Sequence, residues 1–160
     1  MVDTDEARIR RLVVHAPDVE PFSIPGDEDV YESQVVVCPD GVGSRDLEVN
    51  RFILKAGRRL PGHVHQDDDE LYYVLHGRAT LTIGGRADDG TGGIDFEVGP
   101  ESVAFIPAGT FHRLDNSHAE DLVLLTIWPR TPTPGNNPIW DARLAAWGTS
   151  FRTRAGADPT

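Results

Sequence analysis

Residues 57–77 of the chain read GRRLPGHVHQDDDELYYVLHG, which brings two histidines and a carboxylate close together in sequence. Alternate side chains of an extended strand point to the same face, so we expect the rings of His63 and His65 to lie side by side. Residues 66–69 are polar and have the length of a turn, after which Glu70 begins the next strand. Imidazole and carboxylate ligands suit iron, manganese, nickel, cobalt or zinc, and the stretch therefore predicts a site for one divalent transition metal.

A second segment supplies a third histidine. Residues 107–112 read PAGTFH, an apolar strand end followed by a Pro/Gly turn and then the histidine. A strand that returns across a barrel can bring this ring to the same ion. The predicted metal ligands are therefore His63, His65, Glu70 and His112. Asp69 is the alternative to Glu70 as the carboxylate ligand.

The rest of the chain favours an all-β fold. Sixteen glycines and twelve prolines in 160 residues indicate many turns and few long helices. Short runs with strand character alternate with clusters of Gly, Pro and Asp, which is typical of a sandwich or barrel. The predicted strands are residues 34–38, 47–54, 63–65, 70–76, 78–83, 94–98, 102–106, 112–114 and 121–128.

The two ends lack this β pattern. We interpret residues 1–33 as an N-terminal arm that packs on a barrel formed by residues 34–129. Residues 130–160 form a C-terminal tail in which Ile139, Trp140, Leu144 and Trp147 recur at helical spacing, which predicts a short helix. This helix is expected to cap the barrel or meet a partner subunit rather than bind a ligand, and the chain from Thr153 onward is expected to be disordered.

Composition limits the classes of function. A net charge of −11 argues against nucleic acid as a partner, because phosphates need clustered Lys and Arg. No run of about eighteen apolar residues predicts a membrane span, and the charged N-terminus does not resemble a signal peptide, so a cytoplasmic protein is expected. Cys38 is the single cysteine and is interpreted as a small buried side chain, which excludes an internal disulfide and a thiolate metal cluster.

The two histidine segments resemble the paired motifs of the cupin superfamily. The first motif is matched by Gly57, His63, His65, Glu70 and Gly77, and the second by Pro107, Gly109, His112 and Asn116. One position departs from the family pattern, since Glu101 stands where a glycine is expected six residues before the proline. The resemblance covers about residues 34–129. It implies a single-domain, metal-binding cupin with a double-stranded β-helix, or jelly-roll barrel, that holds the metal inside and forms a homodimer.

Four protein ligands on an ion that accepts six leave two positions for a substrate and oxygen. The leading hypothesis is a dioxygenase that acts on a small chelating organic substrate, with Glu70 and Tyr72 as candidate catalytic residues. A redox-neutral enzyme, such as a cyclase, isomerase, lyase or decarboxylase, is the first alternative. The second is a non-catalytic protein that binds a small molecule through the metal.

Strand alternation also predicts the walls of the pocket. Tyr72 and Val74 share parity with Glu70 and should face inward. Further candidates are Arg51 or Phe52, Phe105, Phe111, and Leu124 or Thr126. The acidic run 67–69 is interpreted as a solvated turn, with a role in placing negative charge at the metal entrance as the alternative. The remaining histidines, His15, His76 and His118, are expected at the surface or in structural roles.

Overall fold

The computed structural model describes residues 4–155, and most of these belong to two antiparallel β-sheets. The described residues contain nine strands and two α-helices. The strands are β1 (Tyr31–Val37), β2 (Glu48–Leu54), β3 (Arg59–His63), β4 (Glu70–His76), β5 (Ala79–Ile83), β6 (Ile94–Val98), β7 (Val103–Ile106), β8 (His112–Asp115) and β9 (Leu122–Trp128). The helices are α1 (Thr4–Arg10) and α2 (Pro138–Trp147), and a single 3₁₀ turn lies at Ala16–Asp18.

The strand order confirms the predicted jelly roll. One sheet has the order β1-β2-β9-β4-β7 and the other β3-β8-β5-β6, so strands that are neighbours in space are often distant in sequence. One core of buried residues draws on both sheets, including Phe52 and Leu124 from the first and Leu81 and Leu114 from the second. Closing the two sheets on each other buries these apolar faces together, which is the main stabilising contribution in such a fold.

Alternation along the central strands sets which side chains face inward. In β9 every second residue from Leu122 to Trp128 is buried, and in β4 the buried positions are Glu70, Tyr72 and Val74. The predicted inward parity of Tyr72 and Val74 with Glu70 is therefore found in the structure. Polar Glu70 occupies a core-facing position at the end of its strand, where burial is costly unless it has a partner.

The third strand differs from the prediction. It covers Arg59–His63 rather than 63–65, so His65 lies beyond the strand end instead of two positions along it. The register against β8 is irregular between Leu60 and His63. A Cβ atom at Gly62 would overlap the ring of Phe111, which packs directly against this backbone. The close approach of that ring explains why the strand bends here and why glycine is required.

The turn before the second motif forms even though Glu101 replaces the glycine expected there. Glu101 has a φ of 71°, in the left-handed region that glycine adopts without strain. Its backbone N–H donates to the Val74 carbonyl, and Ser102 N–H donates to the Gly99 carbonyl. These hydrogen bonds hold a turn in which the glutamate side chain costs about 1–2 kcal/mol of strain.

Both terminal segments are more structured than expected. β1 begins at Tyr31, so the predicted arm gives its last three residues to the barrel. Val19 pairs with Thr153, and Arg154 N–H donates to the Asp18 carbonyl. The expected disorder therefore does not hold for Thr153 and Arg154, while residues 156–160 lie outside the described part of the chain. Among residues 4–155 no helix is long and apolar enough to cross a membrane.

Candidate metal centre

The structure brings together the four side chains predicted as ligands. His63 ends β3 and pairs with His112 at the start of β8, while Glu70 begins β4. One ligand atom from each of His63, His65, Glu70 and His112 lies within 4.8 Å of the others. Asp69, the alternative carboxylate, is exposed and its Oδ1 accepts the Ala108 N–H. The geometry therefore selects Glu70 over Asp69.

The distances within the cluster suit a shared ion. The Nε2 atoms of His63 and His65 are 3.1 Å apart, and Glu70 Oε2 lies 3.3 Å from His65 Nε2 and 3.2 Å from His112 Nε2. Glu70 Oε2 and His112 Nε2 are buried and have no hydrogen-bond partner among the described residues. Buried polar atoms are rarely left without a partner, and a metal ion between these atoms would satisfy them.

Each imidazole is oriented by its other nitrogen. The Nδ1 atoms of His63 and His112 lie 3.0 and 3.1 Å from the carbonyl oxygens of Pro61 and Thr110. His65 Nδ1 lies 2.6 Å from the carbonyl oxygen of Asn136. A carbonyl can only accept, so each Nδ1 carries the proton and each Nε2 presents a lone pair to the centre, as metal ligation requires.

The pKa values of Glu70 and His63 favour the protonation states that bind a cation. Burial alone would raise the pKa of the Glu70 carboxyl, but the His112 and His65 rings outweigh it and lower that pKa to about 2. Burial and the neighbouring His112 and His65 rings lower the pKa of His63 to about 4. At neutral pH Glu70 is thus ionised and His63 neutral. Burial also lowers the pKa of His65, but the Glu70 carboxylate 3.3 Å from its Nε2 raises it overall, so metal must displace a proton there at low pH.

A cavity of about 250 Å³ opens onto this cluster. Of the predicted wall residues, Phe52, Tyr72 and Thr126 line it. The other predicted wall residues lie elsewhere: Val74 and Leu124 in the core, Phe105 at the surface with 58% exposure, Phe111 against Gly62 and Gly90, and Arg51 hydrogen-bonded to Gln34. Val74 faces inward as predicted but lies deeper than the cavity, because parity fixes the face of a strand and not the depth along the barrel. Of the paired alternatives, Phe52 and Thr126 are the ones that line the cavity. The predictions of Phe105 and Phe111 were wrong, since Phe105 lies on the outer face of β7 and Phe111 precedes β8.

The C-terminal tail completes the cavity, which the sequence did not predict. Asn137, Ile139, Trp140 and Arg143 all line it together with the metal ligands. The Asn137 side chain accepts the N–H groups of Ile139 and Trp140 and so starts α2 at this point. Helical spacing of the apolar residues was visible in the sequence, but the face on which the helix packs depends on tertiary contacts.

Asp68 attaches the tail to the first motif, contrary to its interpretation as part of a solvated turn. Its carboxylate is buried and accepts hydrogen bonds from Arg130 Nε at 2.9 Å, Thr133 N at 3.0 Å and Asn136 Nδ2 at 2.6 Å. Burial opposes ionisation of Asp68, but these hydrogen bonds lower its pKa. The contact positions the Asn136 carbonyl against His65, so the tail supports a metal ligand.

Comparison with known families agrees with this geometry. The family model described as Cupin domain matches residues 50–128, which include all four clustered side chains. An uncharacterized protein of Streptomyces coelicolor is 31% identical over 84 residues, a match that covers 52% of this chain and 70% of that protein.

Several solved structures share the fold. Oxalate decarboxylase from Lactobacillus farciminis, in a formate complex, aligns with a TM-score of 0.60 at 18% identity over 74% of this chain and 33% of its own. A mutant of Bacillus subtilis oxalate decarboxylase aligns with a TM-score of 0.61 at 19% identity, over 73% of this chain and 29% of its own. This chain thus spans about a third of the length of those two enzymes.

A shorter relative in structure comes from Thermotoga maritima. That protein, described as a predicted oxalate decarboxylase, aligns with a TM-score of 0.60 at 20% identity and is covered over 98% of its length. Another structure of the B. subtilis enzyme is described through its Mn(II) centres. At these identities the likeness establishes the fold of the barrel.

Proposed function

This chain belongs to the cupin family, and on that premise we propose that it is a metal-dependent enzyme acting on a small chelating organic molecule, with dioxygen as co-substrate. The observation that carries the proposal is the convergence of three imidazoles and one carboxylate beside a cavity that His63, His65 and Glu70 line. Two of the converging atoms have no hydrogen-bond partner among the described residues. The cavity volume of about 250 Å³ is below the roughly 300–1,000 Å³ of most ligand sites, which favours a small substrate.

The donor set fits a transition metal held by His63, His65, Glu70 and His112. A bound ion would supply coordination sites for a substrate and, if redox-active, electron transfer to oxygen. The protein's part is to keep three Nε2 lone pairs and one carboxylate fixed around a single point. The carbonyl contacts to each Nδ1 provide that fixation, because they prevent the rings from rotating away.

The other side chains that line the cavity are poor acid–base catalysts. Burial raises the pKa of Tyr31, and burial together with the Glu70 charge raises that of Tyr72, so both phenols stay protonated. Among the described lining residues, the half-buried Asp27 is the remaining carboxyl outside the ligand set. We infer that chemistry in this cavity depends on the metal more than on proton transfer by side chains, as an oxygen-dependent oxidation requires.

We assign Tyr72 a role in orienting the substrate. It is buried in the middle of β4, two residues after Glu70, and its ring lies 6.0 Å from that of His112. A phenol that stays protonated is a hydrogen-bond donor next to the coordination sphere. It can donate to a substrate oxygen that approaches the metal and so fix the direction of binding.

A metal-dependent decarboxylase is the second candidate. It is favoured by the structural neighbours, several of which are oxalate decarboxylases. That reaction is redox-neutral overall, so carbon dioxide should be released with no net consumption of oxygen. Catechol, salicylate and oxalate, each incubated with and without oxygen, distinguish the two candidates through oxygen uptake and release of carbon dioxide.

The metal assignment is tested by the double substitution His63→Ala and His65→Ala. Protein purified without chelator should contain close to one transition-metal ion per chain by mass spectrometry, and the variant should contain almost none while keeping a β-type circular dichroism spectrum. His76→Ala is the matched control, because His76 is exposed on the same strand as Glu70. Equal metal content in the double variant and the control contradicts the proposed ligand set.

A further inference from the structure

One buried cation faces the cavity from outside the barrel motifs. Arg143 lies on α2, is 1% exposed, and lines the same cavity as His63, His65 and Glu70. It is the single Lys or Arg among the described residues that line this cavity. The side chain crosses from the helix to β1, where its Nη2 donates to the Ser33 hydroxyl at 2.7 Å and to the Ser33 carbonyl at 3.3 Å.

Arg143 has no ion-pair partner within residues 4–155, and its Cζ lies 5.4 Å from the ring centre of Phe22 in a cation–π contact that compensates the charge only in part. No carboxylate oxygen of these residues lies within salt-bridge distance, and the hydrogen bonds found all leave from Nη2, so Nε and Nη1 remain as donors. The carboxyl with the strongest electrostatic influence on Arg143 is Glu48, whose own pKa burial raises to about 8. Burial lowers the pKa of Arg143 to about 10, so the guanidinium stays charged at neutral pH while Glu48 is largely protonated.

A buried charge without a counterion is costly, and a ligand that brings the opposite charge removes this cost. The guanidinium is planar, and its Nε and Nη1 groups can each donate a separate charge-assisted hydrogen bond to a carboxylate oxygen, since the bidentate forks both use the Nη2 that Ser33 engages. Tyr31, Phe52 and Trp140 line the cavity beside this group and provide flat apolar surfaces. A single cation in about 250 Å³ suits one carboxylate better than a phosphate dianion.

We propose that Arg143 binds the carboxylate of the substrate, and that the substrate is a small planar or aromatic carboxylate. This inference rests on the proposed function in one respect: a second oxygen atom of the same substrate is taken to bind the metal. Arg143 is then a specificity-determining residue supplied by the tail, whereas the metal ligands belong to the barrel. The alternative is a purely structural role, in which Arg143 only ties α2 to β1 through Ser33.

The test measures binding of benzoate and of benzamide, its neutral analogue of similar shape, by isothermal titration calorimetry on the protein as purified. Loss of charge-assisted hydrogen bonds in Arg143→Met should weaken benzoate binding about 10- to 100-fold and leave benzamide binding nearly unchanged. Arg143→Lys keeps the charge but loses the planar guanidinium and its fixed donor directions, and an intermediate loss is expected. Arg152→Met, at an exposed arginine of the same tail, is the control and should bind both compounds like the parent protein.

The result that overturns the proposal is equal benzoate affinity in the parent and Arg143→Met, or absence of benzoate binding to the parent protein at millimolar concentration. If Arg143→Met does not fold, the Nε–H resonance of Arg143 in the parent protein decides, since it should shift with benzoate and not with benzamide. Repeating the titration on the His63→Ala, His65→Ala variant separates the two proposals. Retained benzoate binding that depends on Arg143 supports this inference even if the metal assignment fails.

Discussion

The barrel motifs, residues 57–77 and 107–116, and the described part of the tail, residues 130–155, contribute to one site in different ways. The motifs provide the four converging ligand side chains, which are fixed by strand pairing such as that of His63 with His112. The tail provides the Asn136 carbonyl behind His65 and the charged end of Arg143. Under the two proposals above, the barrel binds the metal and the tail determines which substrate is accepted.

Separating the tail from the barrel should have the largest effect among the variants that leave the ligands intact. Asp68→Ala removes a buried carboxylate that accepts hydrogen bonds from Arg130, Thr133 and Asn136. We expect a loss of about 2–4 kcal/mol in the free energy of unfolding. Metal affinity should also fall about 10- to 100-fold, because His65 loses its oriented partner.

Urea unfolding and competition with a chromophoric chelator measure these two effects. Asp67→Ala is the matched control, as its exposed side chain makes no hydrogen bond among the described contacts, and it should change stability by less than about 0.5 kcal/mol. Similar results for the two variants would show that the tail is held to the barrel by other contacts.

A second prediction concerns pH and the buried Glu48 of β2. Burial raises its pKa from 4.5 to about 8 in the folded protein, so the native state holds a proton there that the unfolded state has released. Stability from this group is complete below about pH 4.5 and is lost as the pH rises towards 8. Glu48→Gln keeps the shape of the side chain but cannot ionise. The free energy of unfolding of this variant should therefore fall less than that of the parent between about pH 4.5 and pH 8.

The measurement is urea unfolding of metal-free protein at several pH values, with the parent as reference. Because the two proteins differ only at residue 48, the difference between the two curves isolates Glu48. A constant difference over this pH range would contradict the assignment of a protonated Glu48.

The smallest effect is expected at the turn of the second motif. Glu101→Gly should relieve the strain of a left-handed φ, partly offset by the greater freedom of glycine in the unfolded chain, for a net gain of up to about 1 kcal/mol. Glu101→Ala keeps the Cβ atom and the strain, so its free energy of unfolding should stay close to that of the parent. Equal stability of the two variants would mean that the turn tolerates a side chain at no cost.

The same contrast explains what could be predicted from the sequence. The ligands were found because His63, His65 and Glu70 are placed by local spacing. Short strands between turns predicted only a sandwich or barrel, and the jelly roll followed from the resemblance of the two histidine segments to the cupin motifs. His65 reaches the cluster even though β3 ends before it, since the loop and the Asn136 carbonyl position the ring. Local spacing was therefore a good guide even where the expected strand was wrong.

The tail was harder to predict because its contribution depends on where it docks. Trp140 and Leu144 indicated a helix, but nothing local shows that α2 points Arg143 into the cavity. Asp68 looked like one of three equivalent aspartates, and only its contacts with Arg130 and Asn136 distinguish it. The homodimer and the cytoplasmic location expected from the sequence stay predictions.

The hydrogen bond from His65 to the Asn136 carbonyl has a consequence for how this barrel could change during evolution. Linkage is reciprocal, so a docked tail that strengthens metal binding is itself held more firmly once the metal is present. A new tail sequence could exchange the residues of α2 for others and alter which molecules are accepted. It would retain the metal as long as a backbone carbonyl still reached the same imidazole, a condition that almost any residue at that position can meet.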